Sequence, residues 1–179
     1  MLDIVKAPNQ ILSEKAKDVL RVDKAIHNLI DEMKISLDSA SDPIGVGLAA
    51  PQIAKSLRMF IAKPTLKSKV SVFINPVITL SEGLQNKENE KATKLEGCLS
   101  LPNIWGEVQR FKQIHVDFLD ETGRKRSQKF TGFMATIVQH EIDHLDGVLF
   151  PKRVLDQKGT LYKSRKDKKG EDIFEELKI

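Results

Sequence analysis

Cysteine is almost missing from this chain: one residue, Cys98, in 179. No internal disulfide can form, so the fold must rest on its apolar core. Tryptophan and tyrosine occur once each. No apolar run reaches the roughly 20 residues that a membrane-spanning helix needs. The opening Met1-Leu2-Asp3-Ile4-Val5-Lys6-Ala7-Pro8 lacks the apolar stretch of a secretory signal. The expected compartment is therefore the cytoplasm, an organelle being compatible where a transit peptide has been removed. Gly-x-Gly-x-x-Gly and Gly-Lys-Ser/Thr are both absent, which removes the usual dinucleotide and phosphate loops. There is no internal repeat and no sign of a second domain.

What is present is enough for one domain with a sizeable core: 40% hydrophobic and 30% charged residues. The net charge of +4 is uneven. Residues 152–169 carry eight Lys and Arg against Asp156 and Asp167, a net of +6, so the remainder is slightly acidic. Charge of this kind suits a polyanionic partner or simply a solvated tail.

The densest chemistry lies in Gln139-His140-Glu141-Ile142-Asp143-His144-Leu145-Asp146-Gly147. In a helix, His140 and His144 stand about 40° apart and one turn along, so both imidazoles reach one metal ion. Glu141 stands about 60° from His144, within reach of a water on that ion without being a ligand. Asp143, on the other side of His140, is placed to hold an imidazole from behind. Phe133, Ile137, His140 and His144 share one face, and Met134, Val138, Ile142 and Leu145 form a second apolar row, so this helix is expected to be largely buried. Gly147 marks its end.

A metal held by two histidines needs a third protein ligand, and Cys98 in Leu95-Glu96-Gly97-Cys98-Leu99-Ser100 is the candidate, leaving a fourth position for water. A lone cysteine is otherwise most often a small buried apolar residue. Earlier, Ile44-Gly45-Val46-Gly47-Leu48-Ala49-Ala50-Pro51-Gln52 combines glycines and alanines that let backbone approach another group closely, with Gln52 offering an amide donor to a substrate oxygen.

The remaining pattern is mixed α and β. Pro8 to about Lys17 reads as a short helix or turn. Asp23 is the expected N-cap of a helix to about Ser39, with Ile26, Leu29, Ile30, Met33 and Leu37 on one face and His27 on the polar side. Ser41-Asp42-Pro43 is expected to break that helix. Strands are expected at 58–62, 70–75 and 77–80, with Pro64 and Pro76 as punctuation, and a polar loop over 82–94. Residues 113–120 and 124–130 read as a hairpin leading into the His-Glu-x-x-His helix, with His115 on the wet face. Beyond Pro151 a terminal hairpin is favoured over a helix from Glu171.

Three segments together resemble the peptide deformylase family: Gly45 to Gln52, Glu96 to Ser100, and Gln139 to Gly147. They stand in the family's order and spacing, and the likeness covers roughly residues 1–152. It implies an α+β fold, a single domain with short antiparallel or mixed sheets around a central metal-binding helix. The catalytic domain would be 1–153, and 154–179 a charged extension. It also implies a hydrolase that removes the N-formyl group from nascent polypeptides and releases formate. By position, Cys98, His140 and His144 bind the metal, Fe²⁺ being favoured and Zn²⁺ or Ni²⁺ possible replacements. Glu141 is the general base and acid. Gln52 and the backbone N–H of Leu99 hold the formyl oxygen. Gly47 contacts the peptide backbone, and Val46, Phe133 and Ile137 line the methionine pocket. A transient ribosome contact through 152–169 is an expected partnership; membrane or specific DNA contact is not.

Two departures stand out. Many bacterial members carry Arg where Trp105 stands, and the usual Arg-Pro is Arg110-Phe111 here. The competing readings are a zinc endopeptidase with a downstream ligand (Glu171, Glu175 or Glu176) and a metal- or ribosome-binding protein without catalysis.

Overall fold

The computed structural model describes residues 2–40, 44–84 and 95–178. Its elements, in order, are a 3₁₀ turn (Gln10–Ser13), α1 (Lys24–Ser39), β1 (Gly47–Ala49), a second 3₁₀ turn (Ala50–Ile53), β2 (Met59–Ala62), β3 (Ser71–Leu84), β4 (Leu95–Cys98), β5 (Leu101–Glu107), β6 (Phe111–Leu119), β7 (Lys125–Thr131), α2 (Gly132–Leu145), α3 (Phe150–Asp156), β8 (Leu161–Lys166) and β9 (Asp172–Glu176). The strands form two antiparallel sheets, ordered β1-β2-β3-β6-β7 and β4-β5-β8-β9. This is the expected α+β architecture, with α2 at its centre. No helix of the described residues is long and apolar enough to cross a membrane.

Strand alternation explains how the larger sheet takes a helix on each face. Met59 and Ile61 of β2, with Val72 and Ile74 of β3, pack with Ile26, Leu29, Ile30, Met33 and Leu37 of α1. Phe60 and Phe73 point the other way, toward Ala135, Val138, Ile142 and Leu145 of α2. Their rings stack with centroids 4.5 Å apart. β2 is buried on both faces, as its unbroken apolar run requires. Asp23 caps α1 by accepting from the N–H groups of Ala25 and Ile26. His27 lies on the surface, its Nε2 2.9 Å from the Glu121 carbonyl.

Two expectations change. Pro76 does not separate two strands: β3 runs through it as one strand of 14 residues. The register against β6 shifts between Ile74 and Val77, and Asn75 takes φ 50°. Proline is tolerated there because a bulge needs no ladder donor from it. Residues 82–84, expected to be loop, complete β3. The rest of that loop, 85–94, and the break at Ser41-Asp42-Pro43 lie outside the described residues.

The terminal hairpin is present as β8–β9 and is stitched into the smaller sheet through β5. Its turn is closed by Asp167, whose carboxylate accepts from the N–H groups of Lys169 and Glu171. The arms are oppositely charged, with Arg165–Glu175 and Lys166–Asp172 ion pairs across them.

Candidate metal centre and active site

α2 begins after Thr131 and stops at Gly147, which takes φ +70° with its amide bonded to the His144 carbonyl. A side chain at Gly147 would press on the Ser13 backbone at 2.7 Å, so both conformation and space demand glycine.

The helix delivers His140 and His144 to one place, and β4 brings Cys98 to meet them. Each residue offers one donor atom, and the donors lie within 4.8 Å of one another. Cys98 Sγ is 3.2 Å from His144 Nε2. His140 turns its Nδ1 to Glu96 Oε2 at 3.0 Å, which directs Nε2 toward the shared space. Burial opposes ionisation of the Cys98 thiol, but the imidazoles of His144 and His140 outweigh it and hold the thiol well below its ordinary pKa. Burial likewise opposes a charged His140, and Cys98 and Glu96 outweigh it. A buried thiolate between two imidazoles is a donor set for one borderline or soft divalent ion, and the residues fit it. The peptidase alternative loses its downstream ligand: Glu171, Glu175 and Glu176 belong to the terminal hairpin, and Glu175 is bonded to Arg165.

The support behind this set differs from expectation. Asp143 does not hold an imidazole. It accepts from Arg110 at 2.7 Å and from Arg153 at 2.6 Å. Glu96 takes the expected role, clamped by Arg110 through both carboxylate oxygens at 2.8 and 2.9 Å. Burial opposes the charge on Glu96, yet Arg110 and His140 hold its carboxyl down at about 2. A chain of charge thus runs Arg153–Asp143–Arg110–Glu96–His140. Sequence reasoning gave no role to Glu96 and treated Arg110 only as a departure. A chain read in one dimension does not reveal which charges will meet in the interior.

Glu141 is 4% exposed. Burial drives its carboxyl up to about 7, against the pull of the two imidazoles. Its Oε2 has no hydrogen-bond partner among the described residues. The glycine-rich segment opposes it: a Cβ on Gly47 would overlap the Glu141 carboxylate. The close approach expected of this segment is therefore to Glu141. Gln52 is fully buried, with Oε1 accepting from Ala49 N–H at 2.8 Å. This fixes the amide so that Nε2 faces Ser100 Oγ (3.2 Å) and Cys98 Sγ (3.5 Å). Ser100 was not singled out by the sequence.

These groups converge on a cleft of about 550 Å³, where Val46, Gly47, Gln52, Cys98, Leu99, Phe133, Ile137, His140 and Glu141 all reach the wall. His144 sits behind it, 1% exposed. Leu99 lies in the turn after β4, its carbonyl accepting from Lys6 Nζ at 2.6 Å. Phe133 is half exposed at the mouth rather than packed in the core.

Comparison with known proteins agrees. The chain matches the polypeptide deformylase family over residues 1–160. A peptide deformylase of Symbiobacterium thermophilum is 42% identical over 151 residues, covering 84% of this chain and 65% of that protein. One of Desulforudis audaxviator is 39% identical over 169 residues, covering 92% of this chain and 98% of that protein. The crystal structure of peptide deformylase from Thermus thermophilus superposes with a TM-score of 0.77 at 41% identity, covering 88% of each chain. The peptide deformylase of Synechococcus elongatus, solved in complex with actinonin, gives 0.76 at 34% identity over 85% of this chain and 78% of that one. With its own Cys98, His140 and His144 gathered around one point, this chain belongs to the polypeptide deformylase family.

Proposed function

We propose that this chain hydrolyses the N-formyl group from the first methionine of nascent polypeptides, with Cys98, His140 and His144 holding one divalent ion and Glu141 moving the proton. Deformylation is the reaction of the family to which the chain belongs. The observation that carries the residue assignments is the placement of a buried carboxylate with an unpartnered oxygen beside a Cys-His-His donor set at the inner end of an open cleft. The bound ion supplies Lewis-acid chemistry, acidifying a water and polarising the formyl oxygen.

Glu141 accepts the proton of the attacking water. A buried carboxylate with one oxygen unengaged both takes that proton and returns it to the leaving amine. Gln52 Nε2 and the Leu99 N–H are the donors to the oxygen that gains charge. Gln52 is suited to this because its own oxygen is already held by Ala49. Formate and a free amino terminus result.

The cleft is bounded by the outer strands of both sheets, β1 and β4. An extended peptide fits between such edges, with Gly47 offering backbone and Val46, Phe133 and Ile137 an apolar recess for methionine. We assign the catalytic unit to 1–153 and treat 154–179 as its extension. The metal we favour is Fe²⁺, with Zn²⁺ or Ni²⁺ able to replace it; thiolate and imidazole donors suit all three. Formylated chains emerge at ribosomes, so we assign the activity to the cytoplasm, an organelle with its own ribosomes being equally compatible. Exposed Lys163, Lys168 and Lys169 are the groups for a transient ribosome contact, and reversing them to Glu is expected to weaken ribosome co-sedimentation.

The test is formate release from formyl-Met-Ala-Ser by anaerobically prepared, Fe²⁺-loaded protein. Release that disappears in Glu141→Ala, with metal content retained, supports the reading. No release from folded, metal-loaded protein overturns it.

A further inference from the structure

The terminal hairpin does more than extend a sheet: it carries two groups that hold an aromatic wall of the cleft. Trp105 of β5 stands directly opposite Gly97 of β4. Its indole covers the place where a side chain at 97 would be, since a Cβ there would come within 2.8 Å of Cζ3 and 2.9 Å of Cε3. The ring thus reaches across the outermost strand to the cleft, whose wall it helps form. The indole N–H donates to Ser164 Oγ of β8 at 3.0 Å. Phe174 of β9 meets the ring edge-on, with centroids 5.7 Å apart at 88°. Both supports lie beyond residue 160, where the family match ends.

Strand alternation says what this wall faces. Glu96 and Cys98 of β4 turn toward α2, where Glu96 meets His140. Gly106, next to Trp105, turns to the same side and meets Val154 and Phe150 of α3. Gly97, Trp105, Ser164 and Phe174 therefore occupy the opposite face of the sheet. A peptide lying extended along β4 presents successive side chains to alternate faces. If methionine points to α2 and its Phe133–Ile137 recess, the next side chain points to the Trp105 face.

We infer that Trp105, positioned by Ser164 and Phe174 of the terminal hairpin, is a specificity-determining residue that favours formylated peptides with an aromatic or large apolar side chain immediately after methionine. This rests on the deformylase reading above and adds a preference to it. A flat indole with its N–H already engaged offers only its apolar face, and stacked or edge-on aromatic pairs add to simple burial. Ser164 and Phe174 are positioning residues that act through the ring.

The experiment compares formate release from formyl-Met-X-Ser with X as Phe, Leu, Ala and Asp. The expected ratio of kcat/KM for Phe over Ala is about three- to tenfold, carried by KM. Trp105→Ala should bring the ratio close to one. Ser164→Ala and Phe174→Ala, milder changes that leave the indole present, should lower it partway through KM without moving kcat. A flat ratio in the unaltered protein, or a preference that survives Trp105→Ala, overturns the inference. Absence of formate from every peptide would instead sink the underlying reading. Trp105 is the only tryptophan in the chain, so emission reports on the wall directly. Adding the product peptide Met-Phe-Ser to metal-loaded protein should shift the emission over the concentrations at which it inhibits formate release. Inhibition without any spectral change also overturns the inference.

Discussion

Replacing Arg110 by methionine should cost this protein about 3 kcal/mol of stability, at the lower end of what breaking a buried ion pair costs. The side chain is 5% exposed and bridges two acids that are themselves 10% and 9% exposed. Methionine fills most of the volume but leaves Glu96 and Asp143 without their shared cation. Neither is abandoned completely. Glu96 keeps His140 at 3.0 Å, and Asp143 keeps Arg153 at 2.6 Å. That residual pairing argues for the lower end of the range. For a chain of this size, about 3 kcal/mol corresponds to a fall in Tm of roughly 6–12 °C. Thermal unfolding should be followed with chelator present, so that ion binding does not add to the native state. A fall of less than about 3 °C would mean that the buried network is not a net support of the fold, and the argument from Arg110 would fail.

Gly47→Ala places a methyl group where the Glu141 carboxylate lies, and formate release should drop by about 100-fold or more while far-UV dichroism stays native. Glu96→Gln leaves His140 with a weaker partner, and metal affinity, read by competition with a chromophoric chelator, should fall about 10- to 100-fold. Cys98→Ser should abolish stoichiometric metal at the concentrations that saturate the unaltered protein; full retention measured by elemental analysis would remove Cys98 from the donor set. Asp120 accepts from Thr122 and Arg124 in the β6–β7 turn, which holds its carboxyl below the usual range. A depressed value gives stability that is present above the ordinary carboxylate pKa and is lost as pH falls below it. Asp120→Asn should therefore flatten the acid side of a stability–pH curve, and an unchanged acid limb would contradict this.

Two of the three α-helices, α1 and α2, and most strands could be read along the chain because each obeys a local period; α3, only seven residues long, is too short to show one. Asp23 caps α1 and the Ile26-Leu29-Ile30-Met33-Leu37 face lies in it as expected, since capping and amphipathicity are properties of neighbouring residues. Pro76 misled because local rules rate proline as a breaker, whereas here a bulge absorbs it. Asp143 misled for a related reason. Its angle on the helix favoured an imidazole, but Arg110 and Arg153, 33 and 10 residues away, arrive with full charges and win it.

By itself the sequence determined the metal-binding helix, because two histidines four residues apart, with Glu141 between, meet on one face of any α-helix. It also pointed to Cys98 as the candidate third donor, through the three motifs in their order, and the structure brings its sulfur to the two imidazoles. Only the tertiary structure decided what surrounds that helix. It placed Gly47 against Glu141, Glu96 behind His140, Arg110 between two buried acids, and the terminal hairpin behind Trp105. These are contacts between residues tens of positions apart. They depend on how sheets and helices pack, and burial then multiplies the strength of each charge–charge contact that a local reading cannot see.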